Sequence, residues 1–222
     1  MRNQDFERYA DVKSMVGPVS ATWESVFLKE LKARDFSDYR RIKFLDYGCG
    51  DGRYFPYLIQ KGFPANNIYG IEVSKKRFQR CRRLGWENCS LVALKERLPY
   101  PDDFFDIINF DEVIEHIPFA ELDFYLGEIS RIMKPEALLI LTTPNYPVKR
   151  LYDFVDAVWS GKWARLRDDP THVCRYNKKR LKETLGRYFS NIRFYMYKEG
   201  VLYKRIKADF FMHKILAVIS NT

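Results

Sequence analysis

The chain has 222 residues, 46% of them hydrophobic, so it can bury one sizeable core, and we expect a single domain over residues 1–222. A net charge of +9 favours anionic partners such as nucleic acid, phosphorylated substrates or a membrane surface. No apolar run is long enough to span a membrane, and the first residues lack a signal-peptide core, which excludes a transmembrane or secreted protein from our expectation.

The four cysteines indicate a cytoplasmic protein. They form no C-x-x-C pair and follow no regular spacing, so reduced, buried thiols are the simplest interpretation. Cys49 lies inside a glycine-rich segment where a small residue fits, and we assign it no catalytic role. The cysteines are Cys49, Cys81, Cys89 and Cys174.

Residues 1–40 are predicted to form an N-terminal helical cap. Five apolar residues recur there at helical spacing, which shows that a helix packs against something but not against what. The five residues are Trp23, Val26, Phe27, Leu28 and Leu31.

A glycine-rich turn follows the first predicted strand. The apolar run from Ile42 to Leu45 ends at Asp46, glycines follow at 48, 50 and 52, and residues 53–60 are helix-like. Strand, turn and helix in this order place backbone N–H groups against a ligand, and glycine permits both close approach and positive φ. The spacing is G-x-G-x-G and not the dinucleotide pattern G-x-G-x-x-G, so a pyrophosphate is not the expected ligand. Asp46 suits a cationic one.

Glu72 ends the second predicted strand, residues 67–73, and Ser74 is a candidate N-cap for the following helix. A carboxylate in this position can accept hydrogen bonds from both hydroxyls of a ribose. The alternative is that Glu72 only caps the helix or pairs with Lys75 or Lys76. The glycine turn makes ribose binding the preferred interpretation.

Together with segments 98–118 and 127–145, these motifs resemble, in order over residues 40–187, the S-adenosylmethionine (SAM)-dependent methyltransferases with a Rossmann-like fold. The closest likeness is to the branch with ubiquinone-biosynthesis O-methyltransferases and many small-molecule, sugar and lipid methyltransferases. The resemblance implies an α/β fold with a seven-stranded, mostly parallel sheet, helices on both faces and an antiparallel last strand. Residues 177–187 are then a helix, and runs 192–197 and 208–219 are the final strands.

The resemblance also implies a SAM site. In such enzymes an N-terminal helix often lies over the cofactor. Two positions depart from the family pattern: Leu94 stands where an Asp often contacts adenine, and Glu136-Ala137 replaces the usual Gly-Gly, which should alter a turn rather than the chemistry. The implied SAM-binding residues are Asp46, Gly48, Cys49, Gly50, Gly52, Glu72, Val73, Lys95 and Phe110.

An aromatic and basic insert spans residues 146–170. Leu151, Phe154, Val155, Val158 and Trp159 follow the spacing of an amphipathic helix. In the resembled fold this connection would form the acceptor-pocket wall or a lid. Alternatively most of the five apolar residues belong to the core, and a membrane-interface role ranks below both. The flanking basic residues are Lys149, Arg150, Lys162, Arg165 and Arg167.

Glu112, Glu115 and His116 have the spacing that puts side chains on one face of a helical turn, and His172 follows the insert and could reach the same pocket. The pattern resembles the two-Glu, two-His site of small-RNA 3′-terminal 2′-O-methyltransferases, which implies Mg²⁺ or another divalent ion held by these four residues. The alternative is a site without metal, in which His172 or His116 is the catalytic base. His213 is expected to be structural.

The expected activity is SAM-dependent methylation of a hydroxyl on a small-molecule, glycan or lipid-linked acceptor, because the chain has a pocket-forming insert and nothing that resembles a nucleic-acid-binding module. The basic run Lys75–Arg83 is interpreted as a solvated helix face. RNA 2′-O-methylation with a divalent metal is the alternative, followed by a non-catalytic SAM-binding module. Peripheral membrane contact stays open.

Overall fold

The structure is a computed structural model that describes residues 3–12, 17–146, 148–161, 163, 169, 171–197 and 212–220. Seven strands and seven α-helices lie within these ranges. The strands are β1 (Phe44–Tyr47), β2 (Ile68–Glu72), β3 (Cys89–Leu91), β4 (Phe105–Asp111), β5 (Met133–Pro144), β6 (Asn191–Tyr197) and β7 (Lys214–Ser220). The helices are α1 (Asn3–Val12), α2 (Ala21–Ala33), α3 (Tyr54–Gln60), α4 (Lys75–Arg83), α5 (Leu122–Ile132), α6 (Val148–Ser160) and α7 (Lys178–Leu185).

All seven strands form one sheet in the order β3-β2-β1-β4-β5-β7-β6. Strands β1 to β5 pair in parallel, and Asp46 of β1 lies opposite Gly70 of β2 and Asn109 of β4. Strand β7 runs antiparallel to both β5 and β6. The predicted α/β fold with a mostly parallel sheet is therefore confirmed. The carboxyl ends of β1, β2, β4 and β5 lie at one edge, where open α/β sheets bind ligands.

Successive strand residues pack into two apolar cores on opposite faces of the sheet, as the period-2 alternation of a strand requires. Phe44 joins one core with side chains from α2, α3 and α4, and Leu45 joins the other with side chains from α5 and α7. Trp23 of α2 is fully buried in the first core and stacks on Phe27 at a ring-centroid distance of 4.6 Å. Leu28 is the one member of the predicted stripe that is partly exposed, at 37%.

The last strands depart slightly from the expected runs. His213, predicted within a strand, lies just before β7, and its ring stacks on Tyr152 at 4.7 Å. The part of the expected run at residues 208–211 lies outside the described residues. The helix predicted over 177–187 is confirmed as α7, with the Asn177 side chain accepting from the Arg180 N–H.

The insert contains the predicted amphipathic helix, but the expectation that most of its apolar residues are core is wrong. Ala157 is the residue of α6 that is buried, whereas the five apolar stripe residues are exposed. The helix is held instead through its other face, where Tyr152 meets His213. Lys162, Arg165 and Arg167 lie outside the described residues.

Within the part of the chain that the structure describes, no helix is long and apolar enough to cross a bilayer. All four cysteines are buried and free. Three of them converge beneath the glycine turn, with the Cys49 Sγ 3.9 Å from that of Cys81 and 3.7 Å from that of Cys89. Sequence spacing gave no sign of this convergence, because the three thiols come from different elements.

Candidate active site

A cavity of about 1020 Å³ opens at the carboxyl ends of the central strands. Its volume is at the upper end of the range for small-molecule sites, enough for a nucleoside-sized ligand and a second reactant. Nine of the thirteen predicted site residues line it: Asp46, Gly48, Cys49, Gly50, Glu72, Val73, Glu112, His116 and His172. Four do not: Gly52, Lys95, Phe110 and Glu115.

The glycine turn curls against the end of β2. The N–H groups of Gly48 and Cys49 both donate to the Ile71 carbonyl, at 2.9 and 3.0 Å. Gly48 has φ +74°, and an added Cβ would lie 2.7 Å from a Val113 methyl group, so only glycine fits without displacement. Gly52, at φ +81°, faces away from the cavity toward Cys81 and Leu84, so it shapes the turn rather than its lining.

Asp46 is a buried carboxylate, 2% exposed, that also lines the cavity. Its Oδ1 accepts from the Asn109 side chain at 2.8 Å, and Trp23 Nε1 orients that amide through a bond of 2.9 Å to its oxygen. Its Oδ2 has no hydrogen-bond partner among the described residues. Burial raises the pKa of Asp46 to about 8, with Asn109 opposing the shift. A cation placed here would be stabilised by the carboxylate and would return its pKa toward ordinary values.

Glu72 fastens the glycine turn to the start of α4. Its Oε2 accepts from the Gly50 N–H at 2.8 Å, and its Oε1 accepts from the N–H groups of Val73 and Ser74 at 2.9 and 2.8 Å. Burial raises its pKa to about 7, although these N–H donors and Arg77 lower it. Ser74 is the N-cap of α4, as predicted, with its Oγ accepting from the Arg77 N–H at 3.4 Å.

Among the described residues, Glu72 forms no ion pair with Lys75 or Lys76, and both lysines contact α1 instead. The Lys75 N–H donates to Glu7, and Lys76 Nζ lies 2.6 Å from Asp11. Lys75 and Lys76 therefore contribute to holding α1 against α4. This contact was hidden from the sequence because the two helices are some seventy residues apart along the chain.

Two residues predicted from the resemblance lie away from the cavity. Lys95 has its Nζ 3.0 Å from Glu121, and its side chain is 53% exposed. Phe110 is fully buried, edge-on to the Tyr47 ring. The cavity wall between β3 and β4 is formed instead by Val92, Ala93 and Leu94, with Glu96 accepting from the Ala93 N–H at 2.7 Å.

Glu115, His116 and His172 converge at another part of the cavity, with one ligand atom from each within 4.8 Å of the others. Glu115 is fully buried; its Oε2 accepts from Thr143 Oγ1 at 3.0 Å, and its Oε1 lies 3.9 Å from His172 Nε2. Burial, reinforced by Glu112, holds the pKa of Glu115 well above its usual range. The Oε1 has no hydrogen-bond partner among the described residues.

Backbone and side-chain oxygens orient the two imidazoles. His116 Nδ1 lies 2.9 Å from the Thr171 carbonyl, so Nδ1 carries the proton and Nε2 the lone pair of the neutral ring. His172 Nδ1 lies 3.1 Å from the Tyr146 hydroxyl. The two rings meet edge to face with centroids 4.9 Å apart. A hydrogen bond at Nδ1 is the arrangement that metal-binding and general-base histidines both use.

Glu112 does not join this group, and the predicted single helical turn is wrong for it. It follows β4 with φ +55°, and a short 3₁₀ turn begins only at Ile114. Its side chain is directed instead toward Lys214, whose Nζ is 3.7 Å away, and toward Thr142 Oγ1 at 3.4 Å. The left-handed backbone at Glu112, which the spacing rule does not foresee, separates it from Glu115.

Helix α1 lies over the cavity and contacts both of its sides. Phe6 and Tyr9 line the cavity and pack near the His116 ring, with centroid distances of 6.2 and 6.5 Å. Burial and a hydrogen bond to Asp169 raise the pKa of the Tyr9 hydroxyl. Burial opposes ionisation of Asp169, but its bonds to Thr171 and Tyr9 hold its pKa below the usual range.

The sequence analysis did not identify an ion pair that lines the cavity. Arg53, after the glycine turn, has its guanidinium 2.7 Å from Asp111 at the end of β4, and the Tyr54 hydroxyl donates to the same carboxylate at 2.9 Å. Arg53 and Asp111 both line the cavity. Their positions at the ends of predicted elements were the signal that could have found them.

The sheet order, the ligand-facing strand ends and the glycine turn define a SAM-dependent methyltransferase fold. The family described as "Methyltransferase domain" matches residues 22–188, and the chain belongs to it. A SAM-dependent methyltransferase from Archaeoglobus fulgidus superposes with a TM-score of 0.63 and 18% identity, over 88% of this chain and 93% of that one.

Two curated relatives are similar over part of the chain. The demethylmenaquinone methyltransferase of Lactobacillus johnsonii is 29% identical over 140 residues, 58% of this chain and 54% of that protein. A ubiquinone biosynthesis O-methyltransferase of Chelativorans sp. is 26% identical over 117 residues, 51% of this chain and 46% of that protein. The chain thus spans about half the length of these relatives. The chain is a methyltransferase domain, and SAM is the cofactor that this family implies.

Proposed function

We propose that the protein transfers the methyl group of SAM to a hydroxyl of a small-molecule, glycan or lipid-linked acceptor. The observation that carries this proposal is the convergence of Glu115, His116 and His172, of which the two histidines line the same cavity as the glycine turn. An oxygen nucleophile must lose a proton during transfer, and a neutral imidazole can take it.

We place the cofactor against the glycine turn. The Asp46 carboxylate takes the cationic amino end of SAM, because its Oδ2 has no hydrogen-bond partner among the described residues and a cation would stabilise its ionised form. Glu72 accepts from one ribose hydroxyl through the Oε2 lone pair that its three backbone donors leave open. The adenine packs against Val92, Ala93 and Leu94.

The imidazoles perform the acid–base step. His172 Nε2 lies 3.9 Å from Asp169 Oδ2, so a proton gained by His172 would be stabilised by that carboxylate, whose pKa is held below its usual range. The Tyr146 hydroxyl and the Thr171 carbonyl fix the two rings in place. Methyl transfer itself is an in-line displacement, for which alignment and exclusion of water supply most of the acceleration.

The same three residues fit a divalent cation. The buried Glu115 oxygen without a hydrogen-bond partner and two oriented imidazoles supply a donor set that such ions accept. Glu115, His116 and His172 would hold the ion, and Glu112 would not. A bound ion would lower the pKa of the acceptor hydroxyl.

RNA 2′-O-methylation is the second candidate, favoured by this trio together with the net charge of +9. Short RNAs with a free or a 2′-deoxy 3′ end distinguish the two. Strongly salt-dependent binding and methylation of the free 3′ end would establish the RNA activity. RNA binding that is no tighter than the binding of an unrelated anion supports the small-molecule proposal.

The test is transfer of labelled methyl groups from SAM to a fractionated cell extract by wild type, His172→Ala and His116→Ala. Loss of a general base predicts a 10²- to 10⁴-fold fall in turnover with SAM affinity unchanged. The matched control is Leu84→Ser, an exposed apolar residue outside the cavity. Undiminished transfer by both histidine variants would refute the catalytic assignment. Full activity in excess chelator would exclude a metal requirement.

A further inference from the structure

The apolar residues of α6 form an exposed stripe on the protein surface. Leu151, Phe154, Val155, Val158 and Trp159, here called the α6 apolar face, are 53%, 52%, 41%, 54% and 80% exposed. Trp163, just beyond the helix, is 59% exposed. A contiguous patch of large apolar side chains on a surface helix marks a contact with another apolar phase or partner.

The opposite side of α6 is occupied by the protein itself. Ala157 is buried, and Tyr152 stacks on His213. The helix is therefore anchored on one side while its apolar face points outward. An amphipathic helix held in this way can lie in the plane of a membrane interface without any rearrangement of the fold.

Residue types around the face identify the partner. Arg150 precedes it, and Lys162, Arg165 and Arg167 follow it in the sequence. Two tryptophans with basic flanks suit the boundary between lipid headgroups and acyl chains. We propose that the α6 apolar face inserts into the headgroup region of a bilayer that contains anionic lipids.

This contact would bring the cavity to the membrane. Lys149 of α6 and His213, on which Tyr152 of α6 stacks, both line the cavity, and Tyr146 just before the helix bonds to His172. A hydroxyl on a lipid could then reach the site from the bilayer. Only this last step, which names a lipid as the acceptor, rests on the proposed function; membrane binding itself does not.

The distribution of tryptophans supplies the test. The chain has four, and Trp23 and Trp86 are fully buried while Trp159 and Trp163 are exposed. Vesicles of phosphatidylcholine, with and without phosphatidylglycerol, are titrated into the full chain while its emission is recorded. We expect a blue shift and protection from acrylamide with the anionic vesicles, both reduced by salt. The variant Trp159→Phe/Trp163→Phe should show neither change while still sedimenting with the vesicles.

The variant Val158→Ser/Trp159→Ser should partition at least about tenfold more weakly, since it removes two large apolar groups from the membrane. Leu84→Ser, at an apolar residue outside α6 that is 50% exposed, should bind like wild type. Unchanged SAM binding shows that each variant is folded. Equal partitioning of all variants, or no binding to anionic vesicles, would overturn the proposal. A concentration-dependent dimer that the α6 variant abolishes would assign the face to a second copy instead.

Discussion

Binding of SAM should release a proton from Asp46. With a pKa of about 8 in the ligand-free cavity, this carboxyl carries about 0.9 proton at pH 7. A cationic amino group placed against Oδ2 stabilises the carboxylate, so the proton leaves as SAM binds. Affinity should therefore fall by up to about tenfold for each unit that the pH drops below 8, equivalent to about 1.4 kcal/mol per unit.

The raised pKa of Asp46 also determines whether the stability of the ligand-free protein rises or falls with pH. Because the folded value is raised above the ordinary 3.8, the stabilisation by the neutral carboxyl is complete at acidic pH and is lost as pH rises toward 8. The cost of ionising Asp46 without a cation is on the order of 5 kcal/mol. Asp46→Asn should remove this loss and so raise the thermal stability of the ligand-free protein at pH 8.

Calorimetry in buffers of contrasting ionisation enthalpy counts the released protons. Wild type should show a buffer-dependent enthalpy, and Asp46→Asn should show a smaller one together with a roughly 30- to 100-fold weaker affinity, as expected for loss of a charged hydrogen bond. Asp106→Asn is the matched control, because Asp106 lies at the amino end of β4, away from the cavity at the carboxyl end, and pairs with Lys134. Identical enthalpies in all buffers for wild type would show that SAM binding releases no proton from Asp46.

Three further predictions concern single substitutions. Gly48→Ala should weaken SAM binding at least tenfold and destabilise the fold by about 1–3 kcal/mol, because of its positive φ and a 2.7 Å clash; Gly127→Ala, where nothing lies within 4 Å, should be neutral or stabilising in chemical denaturation. Tyr9→Phe loses the bond to Asp169 that holds α1 over the cavity and should reduce SAM affinity by about 1–2 kcal/mol in calorimetry, whereas wild-type affinity would show that α1 does not cover the ligand. In wild type the melting temperature should fall as the pH rises above 4.5, because the buried Glu115 carboxyl is stable only in its neutral form. Glu115→Gln should make this fall smaller, and an unchanged pH profile would mean that Glu115 is already ionised.

The sheet and the glycine turn could be predicted from the sequence because local pattern determines both. The run ending at Asp46 and the glycines after it need particular backbone conformations that few residue types adopt. The direction of the α6 apolar face could not be predicted, because helical spacing is the same whether a stripe meets a core or solvent.

The polar contacts of the site depend on tertiary structure. Nothing local indicates that Trp23 orients Asn109 toward Asp46, since 86 residues separate the first pair and 63 the second. Helical spacing placed Glu112 with Glu115, but a left-handed residue at the end of β4 overrode it. His172 joins Glu115 only because the segment after the insert returns to the sheet, where the Cys174 N–H donates to the Glu115 carbonyl at 2.9 Å.

Hydroxyl methylation in the cavity lined by the glycine turn, His116 and His172 is tested most directly with SAM that carries a ¹³C-labelled methyl group. The acceptor is a fractionated extract including its lipids, and the product is detected by NMR. We expect a methoxy carbon signal with wild type that His172→Ala and Asp46→Asn abolish or strongly reduce. Labelled methyl groups on nitrogen or carbon alone, or a methoxy signal undiminished in both variants, would contradict it.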